Sequence, residues 1–171
     1  MTPFTAAVVA AMLAWTPPLE HAYTGETGLD TIARYWGIAR TVAEVSRTEE
    51  PLPGLSREET ALLLASVGSF ESGGWRRDVE ACDVGGDGSH SWTLWGLWGD
   101  RDKVCADPDL AARVALDRLR SSMTACVRLP VAERLAQYAS GRCDGGHRES
   151  RHRWARFRAW VAAHPTSGGA S

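Results

Sequence analysis

The chain has 171 residues, of which 44% are hydrophobic and 23% are charged. These proportions suit one folded globular domain and exclude a chain that is disordered throughout. The formal net charge of -2 lacks the basic excess of nucleic-acid-binding proteins, so we expect no nucleic acid partner.

Residues 1–25 are predicted to form an N-terminal helix and a connector. The apolar run from Ala6 to Ala14 is too short to span a bilayer, so no integral membrane segment is expected. It also lacks the basic start and clear cleavage site of an export signal. Pro17 and Pro18 end the helix. We expect this helix to pack on the body of the protein or on a partner, and the alternative is an uncleaved export or membrane-surface signal.

Residues 26–164 are predicted to form a single mainly α domain, followed by a flexible tail at residues 165–171. Apolar residues at helical spacing predict helices over about 27–46 and 56–70, a long helix that Asp107 caps and that reaches Cys126, a helix over 130–140, and a last helix that presents Trp154, Phe157 and Val161 toward the body. A capping-box pattern, Ser56 to Glu59, opens the second of these helices. The third helix should bury one face, which carries Leu116, Leu119, Met123 and Cys126.

Residues 72–106 interrupt this helical pattern. They are rich in glycine and contain four of the eight tryptophans. A structureless loop of about 30 residues is rare inside a compact domain, so we predict a small hairpin or an irregular binding loop here.

The four cysteines, Cys82, Cys105, Cys126 and Cys143, lack the spacing of a zinc site. Neither a metal nor another cofactor is expected. An even number of cysteines permits two disulfides in three connectivities, and buried free thiols are the alternative. Pairing of neighbours in sequence would contribute about 3 kcal/mol for each bridge.

The segment from Arg142 to Arg158 contains six arginines against two acidic residues. Such a segment either faces an anionic surface or forms one solvated face of a helix.

Glu71 stands at the end of the predicted 56–70 helix, beside Phe70 and close to Trp75. The carboxyl end of a helix carries partial negative charge, and apolar neighbours withhold water from a carboxyl group. Both effects favour the protonated acid. Glu71 is therefore a candidate proton donor.

Three motifs in order resemble those of the lysozyme-like lytic transglycosylases and goose-type lysozymes. They are Glu71-Ser72-Gly73 at a helix end, a loop from Gly86 to Trp95, and Gln137-Tyr138-Ala139-Ser140-Gly141. The resemblance covers roughly residues 56–160. It implies a lysozyme-like helical fold and cleavage of the bond between N-acetylmuramic acid and N-acetylglucosamine in peptidoglycan.

By this resemblance, Glu71 protonates the glycosidic oxygen and then acts as a base. It takes a proton from the muramic C6 hydroxyl, which gives an anhydro product, or from water. Tyr138 is expected to lie beside the acid and orient it. The predicted substrate-binding residues are Ser72, Ser91, Thr93, Trp95 and Tyr138.

A second carboxylate would favour hydrolysis, because inversion by water needs a general base roughly 6.5–9.5 Å from the acid. Asp83 and Asp87 are the main candidates, but Asp87 lies among glycines and suits a turn equally well. We therefore expect a lytic transglycosylase with one catalytic glutamate rather than a hydrolase.

The alternative is a non-catalytic structural or glycan-binding virion protein on the same fold. Thr93, Gly96 and Ala139 stand where the family usually has Gly, Gln and Asn. In either case the expected partners are peptidoglycan glycan strands and proteins of a phage tail or injection machine. The expected location is the virion or an extracytoplasmic compartment, either periplasmic or secreted.

Overall fold

A computed structural model of the chain describes residues 2–18, 26–85, 91–99 and 101–164. These residues form eight α-helices and one two-stranded sheet, which confirms the predicted mainly α fold. The helices are α1 (Pro3–Trp15), α2 (Gly28–Thr48), α3 (Arg57–Glu71), α4 (Arg77–Glu80), α5 (Arg101–Ala106), α6 (Pro108–Ala125), α7 (Ala136–Ser140) and α8 (His147–Ala163). The strands are β1 (Ser91–Trp92) and β2 (Leu97–Trp98).

Helix α3 lies at the centre of the protein. Its predicted capping box is present, because the Glu59 amide donates to the Ser56 hydroxyl and the Ser56 amide donates to the Glu59 carboxylate. The ten consecutive residues from Thr60 to Ser69 are all buried, and α3 packs against α1, α2, α6 and α8. A helix that is buried on every side holds its last residue, Glu71, in a fixed place.

Helix α1 packs on the body of the protein. Its residues Val8, Val9, Ala11 and Met12 are buried in the same apolar core as α2 and α3. None of the described helices has the length and apolarity needed to cross a membrane.

The small hairpin predicted between residues 72 and 106 is present. Strands β1 and β2 are antiparallel, with Ser91 paired to Trp98 and Trp92 paired to Leu97. The same stretch contains α4 and α5, which the sequence did not predict because helices of four and six residues are too short to show a helical period. Residues 86–90, with Asp87, lie outside the described residues, as do 19–25 in the connector and the tail at 165–171.

The predicted 130–140 helix is wrong in detail, because a 3₁₀ turn (Val131–Glu133) precedes a separate, short α7. Two serines from other helices bind the backbone between these elements. The Ser122 hydroxyl donates to the Arg134 carbonyl and accepts from the Tyr138 amide. The Ser150 hydroxyl donates to the Ala132 carbonyl and accepts from the Leu135 amide. These bonds replace those of a continuous helix.

The apolar faces predicted for α6 and α8 are directed to the core. Leu116, Leu119, Met123 and Cys126 are all buried, and so are Trp154 and Phe157 of α8. Helix α8 therefore packs against α3 with part of the arginine-rich segment in the contact.

All four cysteines form disulfides between neighbours in sequence. Cys82 is bonded to Cys105 and Cys126 is bonded to Cys143. The first bridge ties the end of α4 to α5. The second brackets residues 127–142, which include α7, and so it holds α7 against the end of α6.

Loss of the second bridge should destabilise the protein. Replacement of both Cys126 and Cys143 by serine is expected to lower the free energy of unfolding by about 3 kcal/mol, because the closed loop restricts the unfolded chain. Urea unfolding followed by circular dichroism measures this loss. The matched variant without Cys82 and Cys105 should show a loss of similar size, and unfolding curves that reductant leaves unchanged would contradict both bridges.

Candidate active site

Two of the three motifs, the one at Glu71 and the one at residues 137–141, line one open groove, and Gly96, which directly follows the remaining motif, lines it too. The end of α3, the turn between β1 and β2, and α7 form its walls. The groove has a volume of about 620 Å³, and its described lining residues are Glu71, Gly96, Trp98, Arg118, Ser121 and residues 137–141. Among these lining residues, Glu71 is the only carboxylate.

The backbone leaves α3 directly after Glu71. The Ser72 hydroxyl donates to the Gly68 carbonyl at 2.6 Å and accepts from the Trp75 amide at 2.9 Å. Gly73 and Gly74 follow with φ angles of +62° and +95°, which glycine adopts at little cost. This sharp turn leaves the Glu71 side chain at the wall of the groove, 23% exposed.

The Glu71 carboxylate is held between α8 and the β1–β2 turn. On one side, Arg153 Nη2 of α8 donates to Glu71 Oε1 in an ion pair. On the other side, Gly96 passes so close that a Cβ atom at this position would lie 3.2 Å from Glu71 Oε2. Glycine is needed at position 96 for this approach and for its φ of +58°.

The ion pair changes the expected state of Glu71. The sequence predicts a neutral acid at an apolar helix end, but a guanidinium at hydrogen-bonding distance stabilises the ionised carboxylate. Arg153 is itself buried, with 7% of its surface exposed. The contact with Arg153 therefore favours the carboxylate form of Glu71.

Tyr138 lies beside the acid, as the resemblance implies. It lines the groove with Glu71, and its hydroxyl donates to the Trp95 carbonyl at 2.5 Å. Burial raises the pKa of the Tyr138 phenol well above its usual value, and the charge of Glu71 raises it further. Tyr138 is therefore a neutral hydrogen-bond donor that fastens α7 to the β1–β2 turn, and it does not act as a base.

The other predicted substrate-binding residues point inward. Ser72, Ser91, Thr93 and Trp95 are all buried. The Ser72 hydroxyl closes the end of α3, and Trp95 Nε1 donates to the Leu64 carbonyl at 3.1 Å. Their contact with a substrate stays a prediction, and the geometry instead gives Ser72 and Trp95 a supporting role behind the groove.

Of the two candidates for a second carboxylate, only Asp83 lies in the described part of the chain. Asp83 is exposed beside the Cys82–Cys105 bridge and is not among the described lining residues, and Asp87 lies outside the described part of the chain. Within the described residues, no three or more His, Cys, Asp or Glu side chains are grouped to hold a metal ion.

Several residues of this site were not predicted from the sequence as members of it. They are Arg118, Ser121 and Arg153. The burial of Arg153 had a signal in the sequence, because Arg153 shares the spacing of one helix face with Trp154 and Phe157. The structure buries all three residues, together with Ser150. An arginine on that face must enter the core. Arg118 and Ser121 had no such signal, since they lie beside the apolar face of α6.

Comparison of the chain with protein-family models, with curated proteins and with solved structures finds no match. The site is therefore interpreted from its own residues and geometry.

Substitution of Gly96 by alanine should displace the Glu71 carboxylate. A matched control is Gly54→Ala, because Gly54 has a similar φ of +76° with nothing within 4 Å of an added Cβ. Both variants should lose roughly 1 kcal/mol of stability from backbone strain. Only Gly96→Ala should change the ¹³C chemical shift of the Glu71 side-chain carboxyl. Equal shifts in both variants would show that the close approach has no effect on Glu71.

Proposed function

We propose that this protein cleaves the glycan strands of peptidoglycan and that Glu71 is its catalytic acid. One observation carries the proposal: the motif at Glu71 and the motif at residues 137–141 line a single groove, and the carbonyl of Trp95, the last residue of the remaining motif, accepts a hydrogen bond from Tyr138. An open groove suits a long polymer better than a closed pocket does, since the strand extends on both sides of the cleaved bond.

In this reaction Glu71 donates a proton to the oxygen between N-acetylmuramic acid and N-acetylglucosamine, and that bond breaks. The carboxylate left behind takes the proton of the muramic C6 hydroxyl as its oxygen attacks C1 of the same sugar. The product is a 1,6-anhydro ring, and Glu71 is again an acid. A single carboxylate among the described lining residues supports this transglycosylase route over inversion by water, which needs a second one.

Trp98 is the tryptophan that we propose as a platform for a sugar ring. It lies on β2 at the groove and is 55% exposed, whereas Trp75 and Trp95 are buried in the core. An aromatic face offers an apolar surface to the C–H face of a sugar. Ser121, Gln137 and Ser140 also line the groove and supply hydrogen-bonding groups for hydroxyl and acetamido substituents.

Replacement of the acid tests the proposal directly. Glu71→Gln should lower the release of soluble muropeptides from purified sacculi by about 10²- to 10⁴-fold, because glutamine cannot donate the proton. Glutamine keeps an oxygen that can accept from Arg153 but removes the negative charge, so circular dichroism must show that the variant is folded before its activity is compared. Mass spectrometry should find 1,6-anhydromuramic ends in the wild-type products, and reducing ends alone would show hydrolysis instead.

Glu59→Gln is the matched control. Glu59 lies at the opposite end of the same helix, and it is also ion-paired to an arginine of α8, Arg158, at 3.2 Å. This variant should cleave sacculi at the wild-type rate. Equal activity of the wild type and Glu71→Gln would show that Glu71 is not the catalytic acid.

Trp98→Ala should weaken substrate binding. Loss of a stacking platform is expected to raise KM for glycan strands about tenfold with a smaller effect on kcat, since stacking holds the substrate in the ground state as well as in the transition state. Trp98→Phe keeps an aromatic face and should restore most of the affinity. Steady-state kinetics on soluble glycan strands measures both, and an unchanged KM in Trp98→Ala would exclude the platform.

A second candidate function is glycan binding without cleavage, as in a structural virion protein. The ion pair of Glu71 with Arg153 favours this candidate, because an ionised glutamate is not yet a proton donor. Binding of wild-type protein to sacculi without release of muropeptides at any pH would support it.

The two disulfides indicate that the protein matures in an oxidising compartment, outside the cytoplasm. Within that setting we propose action on the cell wall, either as a secreted or periplasmic enzyme or as part of a phage tail or injection machine whose other proteins would be its partners.

A further inference from the structure

Arg153 is an unusual feature of this groove. It extends from α8 to the end of α3, it is buried, and its Nη2 donates to Glu71. Its Nε and Nη1 atoms are buried with no hydrogen-bond partner among the described residues. Among the described residues, the Glu71 carboxylate is therefore the hydrogen-bond acceptor of the Arg153 guanidinium.

A buried guanidinium cannot lose its proton, so it needs a compensating negative charge. In the described chain, Arg153 of α8 is bonded to Glu71, and Tyr138 of α7 and Arg118 of α6 line the same groove as Glu71. The β1–β2 turn that faces Glu71 contributes no charged side chain between Thr93 and Trp98. Glu71 is therefore the negative group that compensates Arg153.

The two neighbouring arginines have other contacts. Arg156 donates to the Ser69 hydroxyl at 2.8 Å and lies 4.2 Å from the centre of the Phe70 ring. Arg118 donates to the Trp98 carbonyl. Arg153 is the arginine that donates to the Glu71 carboxylate.

We propose that Arg153 is a positioning residue that keeps Glu71 ionised and oriented in the substrate-free groove, so that Glu71 takes up its catalytic proton when a glycan strand binds. The proton comes from solvent and goes to the glycosidic oxygen during bond cleavage. This inference rests on the proposed function for its catalytic meaning, while the ionisation of Glu71 itself does not depend on any activity.

The pH dependence of cleavage tests this role. Because kcat/KM requires protonated Glu71, it falls as pH rises through the midpoint of the free protein. Removal of the guanidinium in Arg153→Met should move that midpoint to higher pH by about 1 to 2 units, since the carboxylate loses its opposite charge. Maximal kcat should fall because the carboxylate is no longer oriented. Arg153→Lys keeps the charge and should retain most of the wild-type midpoint.

Arg156→Met is the matched control. It removes a partly buried guanidinium one helical turn further along α8 that contacts Ser69 and Phe70. If the loss of any arginine from the contact between α8 and α3 changed activity only through the structure, Arg153→Met and Arg156→Met would both show that change. Only Arg153→Met should move the midpoint, and equal midpoints in wild type and Arg153→Met would overturn the proposal.

A second measurement separates this inference from the proposed function. In the full-length protein labelled with ¹³C-glutamate, the Glu71 carboxyl signal is assigned by its absence in Glu71→Gln and is followed through a pH titration. The wild-type midpoint should lie below that of an exposed glutamate, and the Arg153→Met midpoint should lie above the wild-type value. Such a result without cleavage of sacculi would keep the ion-pair inference and reject the enzyme. A wild-type midpoint at or above that of an exposed glutamate would reject the inference, whatever the activity.

Discussion

The burial of α3 is the constraint on which the rest of the structure depends. Ten consecutive buried residues leave no side of this helix exposed, so other helices must surround it. α1, α2, α6 and α8 do so. Only the ends of α3 reach the surface, and its carboxyl end opens on the groove. The position of Glu71 is therefore a consequence of core packing, and a change in the core would alter the site through the helix that carries it.

Much of this arrangement could be predicted from the sequence because the signals are local. Helical spacing, the capping box at Ser56 and the cap at Asp107 depend on residues within a few positions of one another, and each marks an observed helix. The hairpin followed from the length of an unpatterned segment. The resemblance also implied that Tyr138 lies near Glu71, and the two residues line the same groove.

The directions of the side chains could not be predicted from the sequence, because tertiary contacts determine them. Ser72 and Trp95 have suitable groups for binding sugars, yet their polar atoms bond the backbone of α3. The arginine-rich segment was interpreted as a basic surface or a solvated face, but Arg153 on that segment is buried. The prediction that Glu71 is neutral does not include the effect of this arginine, which is 82 residues away from Glu71 in the sequence.

The ion pair between Glu71 and Arg153 also sets a condition for Glu71 to act as a proton donor. Protonation of Glu71 removes the charge that compensates Arg153 and would leave a buried guanidinium without an anion, which is costly. Two further nitrogen atoms of Arg153, Nε and Nη1, have no hydrogen-bond partner in the described chain. Both atoms are buried, and Arg153 is not among the described lining residues of the groove. The cost of a neutral Glu71 therefore lies inside the protein, and loss of the guanidinium should make the proton donor easier to form.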